Sequence, residues 1–546
     1  MDRTLQILIF FIILAAVFPA LLDPYIVIGE GVDLYGTFWF YWWTSISIGG
    51  ELDTTQLLFY PYGKDVFSHT GSNVVDAVLS IPFQKAFGIP NYQPYFILFI
   101  LQINAICFEQ YARVWSTERI KIACGTVVFT FMPYFCWELA GGRITQVLVF
   151  PALIALYYFE QLLRKGGLKY AVASGLMTAL QGWVYWFYGY FLGFFLIWRV
   201  IVSPQFKSRW KELLVAFLTC VLSVFPAVWK MYIKYDQGAV PGLEPTFINN
   251  VHPMLSGYVL WEPGNVPVFS FISVSLLFIC AVWGQHKKVW LGWLIISLLV
   301  ATGPASLWED ESIQMPHYTL LQEIPFFSRL WFPYRILSCL SVALMLGVVL
   351  SKVHSTVMVL LTVFYFVEIS SWGLFPFHTS PLDNGQIYID LDQQGALFEI
   401  PLGVVKPSHY HQIYHNRAIS GGMGENLQIL WGKDYEIAFK ERFTYFRKLS
   451  HVPEPVAPKE HLLDDFEYLT LDKRVSKTLF HSRHDQYLTN LCLVFGQPEQ
   501  FDENIVIWKL SEYIKSKDCT VQNWRNTPIV QPSSWEMLLR ARGRIP

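Results

Sequence analysis

Runs of about twenty apolar residues recur through the first 374 positions, and they constrain the fold more than any other feature. A bilayer core takes about 20 such residues per helix. By that rule the sequence predicts about eleven spans, at 4–22, 92–111, 120–140, 144–163, 170–186, 187–203, 212–231, 267–284, 289–304, 333–350 and 355–374. Composition agrees: 15% of the 546 residues are charged and 53% are hydrophobic, whereas soluble domains carry about 25% charged residues. The missing charge is a statement about solvent, because surface that faces lipid does not need it. A net charge of −2 supplies no basic field, so nothing points to nucleic acid as a partner. The first run carries Arg3 ahead of it and no small-residue cleavage site after it, which reads as an uncleaved signal anchor.

Orientation follows from the basic residues. Arg113, Arg119 and Lys121, then Arg164, Lys165 and Lys169, then Lys207, Arg209 and Lys211, then Lys287 and Lys288, then Lys352 all fall in tight turns on the N-terminal side. The positive-inside rule makes that side cytoplasmic. The alternate connections, 23–91, 232–266 and 305–332, are long and rich in Pro, Gly, Trp and acidic residues. They face outward, and an odd number of spans places 375–546 outside too. The expected protein is therefore mostly α, a polytopic helical bundle over 1–375 with a large first outer loop at 23–91. An extracytoplasmic α/β or α+β domain follows over 376–546. Its signals are Asp383-Asn384-Gly385, Gly421-Gly422, and the short β-rich runs ALFEIPL and NIVIWKL. Within the first outer loop, 34–48 is dense in aromatics and 74–87 has an apolar stripe. Both suit helices lying in the membrane interface.

Candidate chemistry gathers on the outer side. Asp23, Glu30 and Asp33 crowd the start of the first loop. A carboxylate there reads either as a general base near lipid headgroups or as an ordinary acidic flank of a helix N-terminus. Span charges are expected near the outer ends, where Glu138, Arg143 and Glu368 read either as a functional site or as interfacial ion pairs. Arg329 and Arg335, in FSRLWFPYRIL, read as a fork for a phosphate group or as arginines snorkelling to headgroups. His69, His252 and His317 lie in outer loops and read first as surface residues. The run His409, His411, His415 matches no standard metal spacing. Of eight cysteines only Cys492 and Cys519 lie in the polar tail, and whether they pair is left open.

The layout resembles the membrane glycosyltransferases of the GT-C superfamily, in particular a bacterial branch. Gly31-Val32-Asp33 with Trp39, Trp42 and Trp43 is similar to that branch's acidic motif and tryptophan-rich helix. Tyr60-Pro61-Tyr62-Gly63, GGRITQVLVFPALIALYYFEQLL, WVYWFYGYF, RLWFPYR, GALFEIPL and the stretch Tyr410 to Gly422 extend the resemblance over most of the chain. It implies a polyprenyl-phosphate sugar donor used at the outer face of the plasma membrane, with a glycan, lipid or protein acceptor. By the same resemblance Asp33, with Glu30 beside it, deprotonates the acceptor hydroxyl. Arg329, Arg335 and Arg143, with Glu138, His69 and His252, contact the substrates. Two departures are visible: Gly142-Arg143 stands where the family often has Gly-His, and no Asp-Asp or Asp-x-Asp pair follows the first span. A divalent metal is left open as a cofactor. A transporter or flippase of a lipid-linked glycan, or a non-catalytic envelope-assembly protein, is the alternative reading.

Overall fold

The computed structural model describes residues 3–66, 74–236, 286–301, 303, 305–308, 311–323, 333–382, 385–389, 391, 395–404, 407–422 and 433–510. The span expected at 267–284, together with His69, His252, Arg329, Cys280 and Cys519, lies outside them. The described chain is mostly helical and forms two compact units. One comprises Met1–Gly29, Gly71–Ile233 and Gly242–Thr379, the other Glu30–Thr70, Lys234–Pro241 and Ser380–Pro546.

In the first unit, five helical stretches among the described residues, two of them interrupted, are long and apolar enough to cross a membrane: Arg3–Leu22, Gln93–Trp115, Arg119–Ala140, Ile144–Lys165 and Phe206–Ile233. Shorter apolar helices run over Trp186–Ile201 and Ser355–Ser371. Proline chemistry decides where several runs break. The 120–140 run is two helices, Arg119–Thr130 and Pro133–Ala140. Pro133 lacks the N–H that would continue the first, yet suits the first turn of the second. The 144–163 run opens as a 3₁₀ turn, Ile144–Val147, and becomes α-helical at Phe150, with Pro151 in its first turn. Between Leu168–Val184 and Trp186–Ile201, Tyr185 alone is extended, with φ −155° and ψ 116°. Close helix packing explains Gly175, where a Cβ would stand 2.4 Å from the Ala216 carbonyl oxygen.

The second unit is built on a four-stranded mixed sheet. Leu397–Ile400 runs parallel to Tyr468–Asp472, which is antiparallel to Ile505–Lys509, which in turn pairs with Gln500–Phe501. The first two of these strands are buried along their whole length, so both faces are covered. The runs ALFEIPL and NIVIWKL supply the first and third strands. A further extended segment joins the edge: Leu397 N and Ser420 N exchange hydrogen bonds with Ala418 O and Leu397 O, at 2.8 and 2.9 Å. On its other side, Ile419 N bonds Leu57 O at 2.8 Å, Tyr60 N bonds Ile419 O at 3.0 Å, and Phe59 N bonds Gly421 O at 3.0 Å. Residues 57–60 of the first loop are thus hydrogen-bonded to the segment at the edge of the tail's sheet, although they are bent rather than extended, with Phe59 at φ 55°. Helix Lys473–Phe480 is capped by Asp472, whose carboxylate accepts from Arg474 N and Val475 N. Cys492 is buried and disulfide-bonded.

Candidate active site

The first unit assembles one candidate site from four segments. Glu138 lies near the end of Pro133–Ala140 and is completely buried. Gly141 and Gly142 turn the chain back, Gly142 at φ 70°, and Arg143 N then donates to Glu138 O at 2.9 Å. The turn returns the Arg143 guanidinium to the carboxylate it has just passed. Its Nε bonds Glu138 Oε2, and the guanidinium lies 4.4 Å over the Trp137 ring. A Cβ at position 141 would meet Arg143 Nη1 at 2.4 Å, so this glycine makes room for the pair. Of the two readings of Glu138 and Arg143, the ion pair is present.

That pair uses one carboxylate oxygen. Glu138 Oε1 is buried with no hydrogen-bond partner of normal geometry, the nearby Tyr134 hydroxyl included. Tyr134, one turn earlier, is fully buried and within electrostatic reach of Glu138, Tyr188 and Arg335. Arg335 is half-buried in the 3₁₀ turn Pro333–Ile336. Its Nη1 donates to the Tyr185 hydroxyl, and its guanidinium lies 5.4 Å over that ring. The Tyr188 hydroxyl donates to Gln146 O at 2.8 Å. Sequence reasoning found the acid and both arginines but missed the three tyrosines as site residues. The run WVYWFYGYF holds two of them, of which Tyr185, the extended residue, meets Arg335. A buried, under-bonded carboxylate beside a guanidinium and phenols is suited to hold sugar hydroxyls and a phosphate charge.

Asp76 was also missed. It is completely buried in Val74–Phe87, its Oδ2 accepts from the Thr145 hydroxyl, and Tyr92 lies within its field. In helix Val74–Phe87, Asp76, Ala77, Ser80, Ile81 and Gln84 form a buried face.

The expectation that span charges sit near the outer ends overlooked a second cluster. Arg199, in the last turn of Trp186–Ile201, donates Nε and Nη2 to Glu160 at 2.5 and 3.0 Å. Arg164 stands 4.0 Å from the same carboxylate. Glu109 accepts from Arg113 at 2.7 Å and from Gln6 at 2.5 Å. Helical spacing pairs Glu109 with Arg113 and Glu160 with Arg164 at i, i+4. The Glu160–Arg199 contact crosses between helices.

Asp33 and Glu30 belong to the second unit. Asp33 is exposed in the first turn of helix Val32–Ser47, and its carbonyl accepts the Thr37 hydroxyl at 2.8 Å. Glu30 is half-buried and precedes the helix, with Gly31 at φ 92° between them. The two carboxylates therefore do not share a helical face. The aromatics of this helix are mostly buried: Trp39 is 0% exposed, Phe38 and Tyr41 are 1% exposed. They pack on helix Ser408–His415, with Tyr410 5.1 Å from Tyr35 and 5.7 Å from Phe38. His409 and His411 are buried in that helix. Burial, then His411 and Arg417, holds the His415 imidazole well below its usual pKa. Among the described residues no group of three or more His, Cys, Asp or Glu could hold a metal ion. His317 Nε2 is bonded to Leu299 O at 2.7 Å, and Glu368 closes helix Ser355–Ser371, its carbonyl accepting from Trp372 N at 3.2 Å.

No family model and no curated protein sequence matches the chain. Solved structures do. The cryo-EM structure of the arabinofuranosyltransferase AftD from Mycobacteria aligns over 93% of this chain with a TM-score of 0.60 at 12% identity. The archaeal oligosaccharyltransferase AglB from Archaeoglobus fulgidus, solved with an inhibitory peptide and a dolichol-phosphate, aligns over 89% with a TM-score of 0.52 at 8% identity. The chain spans 40% of the AftD chain and 70% of the AglB chain. The chain shares the fold of these two structures, both of them transferases resembling the family that the sequence suggested.

Proposed function

We propose that this protein is a membrane glycosyltransferase that moves a sugar from a polyprenyl-phosphate donor to a glycan, lipid or protein acceptor. The observation that carries the reading is the fold likeness to a glycosyltransferase over 93% of the chain. The polar cluster around Glu138 and Arg335 supports it, because the chemistry needs those groups. The acceptor hydroxyl gives its proton to the Asp33 carboxylate. The acceptor oxygen then bonds the anomeric carbon, and the bond from that carbon to the phosphate oxygen breaks. The electron pair leaves with the polyprenyl phosphate, whose growing charge needs a cation. Within the first unit, the Arg335 guanidinium is suited to such a phosphate charge, and the Glu138 carboxylate and Tyr134 hydroxyl to sugar hydroxyls. Arg143, committed to Glu138, orients that carboxylate.

On this reading the protein sits in the plasma membrane with its N-terminus cytoplasmic and Asp33 and the tail on the outer face. The test is lipid analysis of a strain lacking the protein, complemented with wild type or Asp33→Asn. Both the empty strain and Asp33→Asn are expected to accumulate a polyprenyl-phosphate sugar, with Asp33→Asn still inserted at wild-type level. Normal lipid levels in both strains favour the assembly-protein reading instead. Full complementation by Asp33→Asn alone removes Asp33 as the base.

A further inference from the structure

Helix Val32–Ser47 begins with the proposed base and is held by one side chain from the far end of the sequence. Gln412 is completely buried in helix Ser408–His415. Its Oε1 accepts from Trp39 Nε1 at 2.7 Å. Its Nε2 donates to Leu57 O and to Arg417 O, both at 2.7 Å. A glutamine offers two N–H donors and an acceptor oxygen, and here both donors and the acceptor are used across three chain segments. The bonds fix the aromatic helix, the loop segment at 57–60 and the residues just after the tail helix to one another.

The packing around the amide has the same direction. Tyr35, Phe38 and Trp39 lie at i, i+3 and i+4, on one helical face, and that face meets Tyr410 and Gln412 at i and i+2 of the tail helix. Tyr410 is fully buried, and its hydroxyl bonds that of Tyr414 at 2.9 Å. Asp33 stands on the turn immediately before this locked face, and its backbone carbonyl is tied to Thr37. Rotation or sliding of the helix by a fraction of a turn would carry the carboxylate with it. It would also leave Trp39 Nε1 buried without an acceptor, which costs about 1–3 kcal/mol. We infer that Gln412 is a positioning residue for Asp33, so that the tail serves the reaction by holding the base as well as by any contact with an acceptor. The inference rests on the proposed role of Asp33.

The experiment uses the full-length protein in the complemented deletion strain, with total polyprenyl-phosphate sugar in the lipid extract as the probe. Gln412→Met keeps the volume and removes every bond, and is expected to raise that pool at least about tenfold, since small displacements of a catalytic group cost one to two orders of magnitude in rate. Gln412→Glu, protonated among carbonyl oxygens, keeps an acceptor for Trp39 and one donor. It is expected to restore most of the function at equal protein level. Trp39→Phe, which keeps a ring and drops only the N–H, is expected to behave like Gln412→Met. Asn490→Leu breaks two buried bonds elsewhere in the tail, to Leu449 O and Val452 O, and is expected to leave the lipid pool unchanged. Hydrogen exchange of the purified protein reads the cause: amides of residues 34–44 are expected to exchange faster in Gln412→Met and not in Asn490→Leu. If Asp33→Asn accumulates the lipid while Gln412→Met does not, the positioning role is overturned and the base assignment stands. If Asp33→Asn does not accumulate it, the base assignment itself falls. Equal accumulation in Gln412→Met, Gln412→Glu and Asn490→Leu would reduce Gln412 to a general stabiliser of the tail.

Discussion

The two ends of helix Trp186–Ile201 treat buried charge in opposite ways. At its last turn, both oxygens of Glu160 have a partner in Arg199, as both oxygens of Glu109 have partners in Arg113 and Gln6. Before its first turn, about 20 Å away at 1.5 Å per residue, Glu138 spends one oxygen on Arg143 and leaves the other buried and unbonded. Leaving a buried polar atom unpaired costs free energy, and a fold tolerates the cost where a ligand will supply the missing bond. The satisfied cluster is a lock between helices, whereas the other leaves one carboxylate oxygen available to a further partner. Both are acid–arginine clusters of similar composition, so residue types alone do not separate them. Counting partners does.

The comparison makes unequal predictions. Removing one member of the satisfied cluster strands a buried charge, so Glu160→Gln or Arg199→Met is expected to cost about 3–5 kcal/mol. Replacing both with apolar residues should recover much of that, as thermal unfolding in detergent would show. Glu138→Gln should behave differently. Its unfolding temperature is expected to stay near wild type, because Arg143 is partly exposed and keeps the Trp137 ring. Sugar transfer should fall about 10- to 100-fold, the value of about 1.5–3 kcal/mol for a hydrogen bond to a charged group. A large loss of stability in Glu138→Gln would erase the distinction between the two ends.

A third case, in the second unit, is a buried polar pair that carries no charge at all. His484 Nδ1 lies 3.2 Å from the buried Ser476 hydroxyl. Burial, opposed in part by Asp485 and aided by Lys477 and Lys473, lowers its pKa from 6.5 to about 4. The unfolded chain takes up that proton near the ordinary value and the folded chain does so only near the lowered one. The stabilisation is therefore complete above about pH 6.5 and is lost as pH falls toward about 4. Thermal melts should show a slope over that interval that His484→Gln reduces. The smallest effect is expected for Tyr188→Phe, which removes a single neutral bond to Gln146 O worth about 0.5–1.5 kcal/mol.

Much of the fold was legible because it is local. Apolar runs located the helices, Pro133 and Pro151 located breaks within them, and ALFEIPL and NIVIWKL located two strands of the tail's sheet. The acid and arginines of the candidate site were legible as unusual residues at helix ends. What escaped was pairing at long separation. Nothing near Glu160 announces Arg199, nothing near Asp76 announces Thr145, and the packing partner of the aromatic helix lies far along the chain. Arg113 and Arg164 served as topology markers in the sequence, yet in the fold each also faces a buried carboxylate.

Trp39 and the Gln412 that receives its N–H are 373 residues apart. At a synthesis rate of about 5–20 residues per second, the aromatic helix and the loop segment at 57–60 wait on the order of 20–75 s for their partner to emerge. During that interval Phe38, Trp39 and the backbone of residues 57–60 have none of the tail's surface to cover them. The order of synthesis thus sets a biogenesis problem that the finished molecule conceals. A chain that stops before residue 408 would insert its helices and still lack the surface on which its own first loop matures.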